Sequence, residues 1–378
     1  MHIGLVIYGS LDTLSGGYLY DRHLVAHLRQ LGARVTVFAR PWRHYLAHLA
    51  DNLDPDWRRA LLSARVDVWL QDELNHPSLV GLNRALARAQ PRVPRVAIVH
   101  HLRADERHHP RLWRPLYRAV ERAYLRTLSA ALYNSRTTQA AVRALRRAPL
   151  PGLVAYPGKD GLPPPRLGRA DLVARAHESG PLRVLAVGNL IPRKGVHRLL
   201  DALRRLPPGS VTLDLVGRED VDPAYARRLR ERVQRWGLGR AVRFHGRVEG
   251  SALAGLYRRA QVFALPSQYE GFGIVYAEAL GFGLPVLASR AGAAHEVLAA
   301  GRAGVLVDPD DAAAIARHLA TWAQDRDRLA AQAVAARARY EQLPTWAESM
   351  TRAARWLLDL AARARGNPRP GGHPGAGP

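Results

Sequence analysis

The sequence of 378 residues contains no cysteine, which excludes disulfides, thiolate zinc sites and cysteine nucleophiles. It also has no uninterrupted apolar run that approaches the roughly 18 residues needed to span a bilayer. The opening residues MHIGLVIYGS have neither a basic run before the apolar residues nor a small-residue cleavage site. They predict a first β-strand and not a signal peptide. These absences together predict a cytoplasmic protein.

Lysine is almost absent as well. Of the 56 basic residues only Lys159 and Lys194 are lysines, so arginine supplies nearly all of the positive charge behind a formal net charge of +24. A charge of this size is typical of proteins that bind nucleic acid. The preference for arginine, together with heavy use of alanine, fits a GC-rich genome equally well. Composition alone therefore leaves both explanations open.

The distribution of the arginines is more informative than their number. Within residues 101–147, arginines outnumber acidic residues by eleven to three. Six of them recur every three or four positions and so predict one basic stripe on a helix: Arg107, Arg111, Arg114, Arg118, Arg122 and Arg126. Trp113, Leu116, Val120, Tyr124 and Leu128 are predicted to fill another face. Such a stripe suits an anionic membrane surface or a phosphorylated acceptor, and a solvated helix face is the alternative.

Short apolar segments alternate with helical patterns along the chain. The first six predicted strands are HIGLVIYG, ARVTVFAR, DVWLQD, VPRVAIVHH, SAALYNS and LVAYPG, and the second six are PLRVLAVGN, VTLDLVGRED, AVRFHGRV, AQVFALPS, PVLAS and GVLVDPDD. Strands separated by helices indicate βαβ units and parallel sheets. We therefore predict an α/β protein with domains at 1–165 and 166–344, a last helix at 345–364 and a disordered Gly/Pro-rich tail at 365–378.

Ligands of parallel sheets bind outside the carboxyl ends of the strands, and two charged segments follow strands in the second half. In VGNLIPRKG, Arg193 and Lys194 precede a predicted helix, an arrangement that suits a phosphate group unless both are solvated loop residues. In LPSQYEGFGIVYAEAL, Glu270 and Glu278 interrupt an apolar run, where an unsatisfied charge is costly. Because both lie near the amino end of a helix that starts near Ile274, ionised carboxylates are favoured. They are either helix caps or ligands for hydroxyl groups.

Two weaker signals lie in the first half. His100 and His101 end a predicted strand, where an ordinary strand-end histidine is the alternative to a ligand contact. The turn Ser15-Gly16-Gly17 follows the first strand. No G-x-G-x-x-G follows either leading strand, which argues against a dinucleotide oxidoreductase.

Taken together, VGNLIPRKG, the E-x7-E spacing of Glu270 and Glu278, and GLPVLASRAGAAHE resemble the family 4 (GT4) retaining glycosyltransferases of the GT-B fold. The resemblance covers nearly the whole chain, including the Ser-Gly-Gly loop and the His-His strand end. It implies two Rossmann-like domains that face each other across a central cleft, with the last helix crossing back to the first domain. It also implies transfer of a hexose from a UDP- or GDP-linked sugar to a glycan, lipid or small-molecule acceptor.

The resemblance also implies a role for each matching residue. Glu278 is expected to bind the ribose, Glu270 the transferred sugar, and Lys194 the leaving diphosphate. The family usually has an arginine where this chain has Asn189, so either Arg193 supplies the missing charge or the diphosphate is held with less electrostatic attraction. The remaining implied donor contacts are His100, Gly16, Gly17, the backbone of Phe272, Gly273 and Ile274, and, for the base, Arg247 and Val248.

No cofactor or metal is expected. The two D-x-D sequences, Asp220-Val-Asp222 and Asp325-Arg-Asp327, are placed in a loop and in a charged helix, where neither suggests a metal site. Departure of a diphosphate can be assisted by cations and a helix terminus instead. The alternative function is a basic α/β protein that binds nucleic acid or a membrane surface without transferase activity. On the transferase interpretation no specific nucleic acid is expected, and peripheral attachment to the inner membrane face is an open possibility.

Overall fold

The computed structural model describes residues 1–13, 15–105 and 112–366, and the chain divides into two compact units. Among the described residues, the first unit comprises 1–105, 112–156 and 347–366, and the second comprises Pro157–Trp346. The division falls at Tyr156–Pro157, nine residues before the boundary between 165 and 166 that the sequence analysis predicted.

The first unit is a parallel sheet with helices between its strands. Its elements are β1 (His2–Tyr8), α1 (Gly16–Gln30), β2 (Arg34–Arg40), α2 (Tyr45–Ala50), α3 (Pro55–Ser63), β3 (Val68–Asp72), α4 (His76–Ala89), β4 (Arg95–Val99), α5 (Arg114–Leu125), β5 (Ala130–Tyr133), α6 (Arg136–Arg146) and β6 (Gly152–Val154). The strand order is β2-β1-β3-β4-β5-β6, and all pairs are parallel. The central strands are buried along almost their whole length, as expected of a sheet covered on both faces.

The second unit repeats the architecture. Its elements are α7 (Arg169–His177), β7 (Leu182–Val187), α8 (Val196–Leu203), β8 (Val211–Val216), α9 (Pro223–Arg235), β9 (Val242–Gly246), α10 (Gly250–Arg259), β10 (Val262–Leu265), α11 (Ile274–Gly281), β11 (Val286–Ser289), α12 (Ala294–Val297), β12 (Gly304–Val307), α13 (Ala312–Gln324) and α14 (Arg326–Glu341). The strand order is β12-β11-β10-β7-β8-β9. All twelve predicted strands are confirmed, although LVAYPG contributes only its first residues to β6.

Each sheet has a point at which the chain reverses the direction in which it adds strands. In the first sheet this point lies between β1 and β3, and in the second it lies between β7 and β10. Loops that leave neighbouring strands at such a point diverge to opposite faces of the sheet and open a crevice, where α/β proteins bind ligands. The topology therefore assigns one candidate ligand edge to each unit.

The last helix, α15 (Trp346–Ala364), packs against the first unit. The Thr351 hydroxyl lies 3.0 Å from His27 Nε2, and Arg352 donates to the Val154 carbonyl. Its buried residues are Trp346, Ser349, Met350, Ala353, Ala354, Leu357 and Ala361. Trp356 and Leu360 of the same helix are only half-buried.

Two further sequence predictions concern the C-terminal tail and the absence of a membrane-spanning segment. Arg365, assigned to the disordered tail, pairs with Asp67 at 3.1 Å, and residues 367–378 lie outside the described residues. Among the helices of the described ranges, none combines the length and the apolar character that crossing a bilayer requires.

The buried face of α15 predicts a large effect for Leu357→Ala. Leu357 is fully buried, and truncation of a buried leucine costs about 2–5 kcal/mol through lost burial and a residual cavity. We expect the free energy of unfolding, measured by urea denaturation, to fall by that amount. Arg355→Ala, at an exposed position of the same helix, is the control and should leave it unchanged. Equal values for the two variants would contradict the packing described for α15.

Candidate functional site

Two loops meet at the reversal point of the second sheet. One follows β7 and ends in the 3₁₀ turn Pro192–Lys194, and the other follows β10 and leads into α11. The Gln268 N–H donates to the Arg193 carbonyl at 2.8 Å, and the Arg193 guanidinium donates to the Tyr269 carbonyl at 2.7 Å. These two bonds tie the loops together, so the two charged segments singled out in the sequence form one site.

A buried ion pair lies at the centre of this site. Lys194 Nζ is 2.7 Å from Glu270 Oε1, and the Arg193 guanidinium is 3.6 Å from the same oxygen. Only 15% of the Lys194 side chain and 11% of the Glu270 side chain are exposed. Burial alone would raise the pKa of Glu270, but the charges of Lys194 and Arg193 outweigh it and hold the pKa at about 2. Glu270 is therefore ionised at neutral pH, as predicted.

A third loop fixes the backbone of Glu270. It follows β11, the strand beside β10, and its Ala293 N–H donates to the Glu270 carbonyl at 2.8 Å. Gly292 has a φ of +79°, and a Cβ at this position would lie 2.3 Å from the Glu270 carbonyl oxygen. Only glycine combines this backbone conformation with so close an approach. Gly292 belongs to GLPVLASRAGAAHE, and its contact with Glu270 gives a physical reason for that part of the motif.

Glu278 occupies a different environment eight residues further along. It lies in the second turn of α11 and accepts a hydrogen bond of 2.9 Å from the Tyr257 hydroxyl. Burial raises the pKa of Glu278 to about 7, against a smaller opposing effect of the Tyr257 bond. The expectation that both glutamates are ionised is therefore correct for Glu270 and wrong for Glu278, which is partly protonated at neutral pH. No pattern in the sequence pointed to Tyr257.

The backbone between the two glutamates forms the start of α11. Gly273 is the residue before the helix and Ile274 is its first residue, while Phe272 is buried beside them. The predicted helix start is confirmed. The free N–H groups of this first turn and its positive dipole end face the carboxyl edge of the sheet, where an anion is favoured.

The remaining predicted donor residues of the second unit lie at the same edge of the sheet. Asn189 follows β7 and is half-buried, as is Val248, which follows β9. Arg247 is exposed and pairs with Glu249 at 3.0 Å. It lines a cavity of about 450 Å³ together with Arg218, Glu219, Asp220 and Gly246. The Arg218 carbonyl accepts a hydrogen bond of 2.9 Å from the Leu190 N–H, which connects this cavity with the loop that contains Asn189. Binding of the base there stays a prediction.

His100 and Gly17 come together in the first unit. A Cβ on Gly17 would lie 3.0 Å from the His100 ring, so the predicted glycine loop and the strand-end histidine are direct neighbours. His100 Nε2 is 3.2 Å from Asp21 Oδ1. Burial alone would lower the pKa of His100, but the charge of Asp21 and its hydrogen bond outweigh this and raise it. Gly16 begins α1, and the Ser15 hydroxyl caps that helix by accepting from the Tyr18 N–H.

The sequence analysis missed Asp21 and Asp72, which are fully buried near His100. The pKa of Asp72 is raised to about 7 by burial and by the charge of Asp21. A signal for Asp21 was present, because it precedes Leu24 and Leu28 at helical spacing and so lies on the buried face of α1. A charged group on such a face indicates a specific partner.

Within the described part of the first unit, two groups of side chains could hold a cation by their geometry, with ligand atoms within 4.8 Å of one another in each group. They are Asp21, Asp72 and His100, and Glu73, His76 and Glu121. The two D-x-D sequences have local structural roles instead. Asp222 and Asp325 cap α9 and α14, and Asp220 pairs with Arg218 at 2.7 Å.

Only some of the arginines in the predicted basic stripe are exposed to solvent. Arg107 and Arg111 lie outside the described residues. Arg118 and Arg126 are exposed, and Arg114 is half-buried. Arg122 turns its Nε toward the Leu145 carbonyl at 2.7 Å, and α5 begins only at Arg114. Trp113, predicted to lie on the apolar face, is 40% exposed. Membrane contact through this stripe stays a prediction.

Solved structures with the same fold include sucrose-phosphate synthase from Thermosynechococcus elongatus, with a TM-score of 0.79 and 24% identity over 96% of this chain and 99% of that chain. HepE from Anabaena in complex with UDP-glucose has a TM-score of 0.74 and 24% identity over 95% of this chain and all of the other. The fold is GT-B. The fold class predicted from the sequence is thereby confirmed.

The match to a family model lies within the second unit. Residues 171–339, fewer than half of the chain, match the family model of the glycosyl transferases group 1. Glycogen synthase from Mycobacterium tuberculosis is 34% identical over 205 residues, which are 53% of this chain and 48% of that protein. D-inositol 3-phosphate glycosyltransferase from Xylanimonas cellulosilytica is 36% identical over 181 residues, 48% of this chain and 42% of that protein. The chain thus spans less than half the length of each of these relatives.

The buried pair predicts a clear stability effect for Glu270→Gln. Removing the carboxylate leaves Lys194 buried without its partner, which costs about 3 kcal/mol, and we expect that fall in the free energy of urea unfolding at pH 7. Glu270→Gln combined with Lys194→Met should recover part of it. Arg218→Gln, which breaks the exposed pair with Asp220 in the same unit, is the control and should change nothing measurable. A fall no larger than that of the control would contradict the burial of the pair.

Proposed function

We propose that the protein is a retaining glycosyltransferase that moves a hexose from a UDP- or GDP-linked sugar to an acceptor hydroxyl without a metal. The observation on which this proposal depends is the buried cluster of Lys194, Arg193 and Glu270 at the reversal point of the second sheet. The match of residues 171–339 to the glycosyl transferases group 1 supports it. So does the bound UDP-glucose of HepE, whose fold this chain shares. None of these observations favours the alternative of a nucleic-acid-binding protein.

The leaving group dictates what the site must do. When the bond between the anomeric carbon and the diphosphate oxygen breaks, its electron pair moves to the diphosphate, and the sugar acquires oxocarbenium character. Negative charge that grows on the diphosphate is best stabilised by cations already in place. Lys194 and Arg193 supply two positive charges, and the free N–H groups at the start of α11 add a third contribution. This set of groups can take the part that a metal plays in other transferases.

Glu270 has two tasks in this proposal. In the free protein its carboxylate orients the Lys194 ammonium and compensates its charge in a buried site. With donor bound, the same carboxylate accepts hydrogen bonds from sugar hydroxyls, while Lys194 turns toward the diphosphate. Retention follows if the acceptor hydroxyl attacks the face from which the diphosphate departs and gives its proton to the departing phosphate oxygen. No second carboxylate nucleophile is then needed, in contrast to retaining glycosidases.

The other residues bind the donor along its length. Glu278 accepts hydrogen bonds from the ribose hydroxyls, next to the Tyr257 hydroxyl. The backbone of Phe272, Gly273 and Ile274 binds sugar hydroxyls and diphosphate. Arg247, Val248 and Asn189 surround the base and its neighbouring phosphate. For the first unit, the roles of His100, Gly16 and Gly17 at the donor sugar rest on the resemblance stated above.

A donor screen tests the proposal directly. Release of nucleoside diphosphate is measured from UDP-, GDP- and ADP-sugars, with the anomeric configuration of any product determined by NMR. We expect turnover with one donor class and a loss of roughly 10²–10³-fold in Glu270→Gln and Lys194→Ala, because both remove preorganised stabilisation at the reacting centre. Arg235→Gln, at an exposed site on α9, is the control. Neither turnover nor binding of any nucleoside diphosphate would overturn the enzyme assignment.

The raised pKa of Glu278 predicts a pH dependence of donor affinity. Ribose hydroxyls donate to the ionised carboxylate, which is the minor form below pH 7 and the major form above it. We expect affinity for the intact nucleotide sugar to rise about tenfold between pH 6 and pH 8, measured by calorimetry. An intact nucleotide sugar is the proper probe, because its diphosphate diester does not titrate in this range. Glu278→Gln should bind more weakly and without this dependence; the same pH profile in the variant would exclude Glu278 as the cause.

A further inference from the structure

The first unit contains a cavity of about 490 Å³, within the usual range of small-molecule sites of about 300–1,000 Å³. Its lining comes from the residues at or after the carboxyl ends of four strands: Tyr8 at the end of β1, Trp42 after β2, His76 after β3 and Arg103 after β4. It therefore lies at the reversal point between β1 and β3. This is the edge at which the fold of the first unit is expected to bind a ligand, and none of the donor contacts assigned above uses it.

Aromatic rings form the walls of this cavity. Trp42 is 49% exposed and Trp113 is 40% exposed, although both are large apolar side chains. Trp42 is held by Tyr8, with ring centroids 5.1 Å apart, and a Cβ on Gly9 would lie 3.0 Å from its ring. A rigid, open indole ring offers an apolar face with little loss of entropy on binding. The C–H face of a sugar or cyclitol ring is a suitable partner for such a surface.

Arg103 provides a fixed cation in the same cavity. Its guanidinium lies over the rings of Tyr45 and Tyr117, 5.1 and 5.0 Å from their centroids, and these rings are 4.6 Å apart. The carboxylate of Glu121 accepts hydrogen bonds from the N–H of Arg103 at 2.7 Å and of Ala104 at 3.1 Å, which fixes the backbone. A planar guanidinium held in this way is preorganised for bidentate contact with a phosphate.

The charge that faces the cavity is positive. Among the described residues, its lining includes Arg43 and Arg103 but no aspartate or glutamate. Asp51, which pairs with Arg43 and Arg40, is buried beside the cavity and does not line it. Burial lowers the pKa of His48, and lowers that of His76 to about 4. These two histidines therefore add no positive charge at neutral pH, and the fixed cations of the lining are Arg43 and Arg103.

From this combination of open aromatic faces and a fixed guanidinium, we infer that the cavity binds the acceptor and that the acceptor is a sugar or cyclitol ring with a phosphate group. The ring packs against Trp42 and Trp113, and the phosphate binds Arg103 with Arg43 beside it. The statement that this ligand is the acceptor rests on the proposed function. The statement that the cavity binds a phosphorylated ring does not. A free sugar phosphate and the headgroup of a phosphoinositide lipid share this chemistry.

Binding is tested by calorimetry on the full chain without donor. The probes are glucose 6-phosphate, fructose 6-phosphate and inositol 1-phosphate, their unphosphorylated forms, and inorganic phosphate. We expect at least one phosphorylated ring to bind about tenfold or more tightly than both its neutral form and inorganic phosphate. Phosphatidylcholine vesicles with and without phosphatidylinositol distinguish a lipid-borne ring from a free one. Equal binding of the neutral ring, equal binding of inorganic phosphate, or no binding in any arm would overturn the inference.

Substitutions of residues that line the cavity test whether the phosphorylated ring binds there. Arg103→Gln should weaken binding of the phosphorylated ring about tenfold or more, and Arg103→Lys should recover part of it, because the charge is kept without the planar fork. Trp113→Ala should weaken the phosphorylated and the neutral ring alike. Arg88→Gln, at an exposed arginine of α4 outside the cavity, is the control. An Arg103→Gln variant that binds like the control, with a native circular dichroism spectrum, would place the ligand elsewhere.

The proposed function and this inference can fail separately. Sugar-phosphate binding without turnover of any nucleotide sugar would leave the cavity as a binding site and reject the transferase. Turnover of a nucleotide sugar without binding of any phosphorylated ring would keep the transferase and reject the phosphorylated acceptor. Where both succeed, Arg103→Gln should raise the KM for the acceptor and leave the KM for the donor unchanged.

Discussion

The ion pair between Lys194 and Glu270 is the interaction on which the candidate site depends. Two opposite charges are stable in a mostly buried place only if each satisfies the other and further groups satisfy the rest. Here the pair joins the loop after β7 to the loop after β10, and Arg193 adds a second cation on the same oxygen. The Glu270 carboxylate thus stabilises the positive charge of Lys194 at a mostly buried site, where an unpaired charge would be unfavourable. That is the property required of a group that must stabilise a departing anion.

The surrounding backbone restricts the shape of these loops. Gly292 brings the loop after β11 into contact with the Glu270 main-chain carbonyl, so the loops after three adjacent strands of one sheet, β7, β10 and β11, converge on Glu270. The two glutamates of the E-x7-E spacing then acquire opposite properties from their surroundings. Glu270 is charged because two cations lie beside it, whereas the pKa of Glu278 is raised by burial with only a tyrosine hydroxyl as partner. In the proposed function, two identical residue types therefore serve different parts of the donor.

The first unit applies the same topological rule to a different surface. Its reversal point lies between β1 and β3, and the side chains that gather there are aromatic rings and arginines instead of a lysine–glutamate pair. Buried carboxylates lie next to this edge: Asp21 holds His100, and Glu121 holds the loop of Arg103. A parallel sheet creates one such edge for each unit, and the residues placed after its strands decide the chemistry. Two units of similar architecture can in this way bind two chemically different ligands.

The sequence by itself determined the twelve strands, the repeat of two α/β units, the helix start at Ile274 and the pairing of Arg193–Lys194 with a strand end. These features depend on local periodicity and on turn residues, which are written directly in the chain. The resemblance to a known family added the roles expected of His100, Glu270 and Glu278.

What the tertiary structure alone decided is which side chains meet. The contact between Lys194 and Glu270 joins residues 76 positions apart, and the pKa of Glu278 depends on Tyr257 and on burial that no local pattern contains. The cavity of Trp42, Arg103 and Trp113 likewise arises from four separate strand ends. Strand order brings such distant residues together, and that order is set by packing of the whole sheet and not by any single segment.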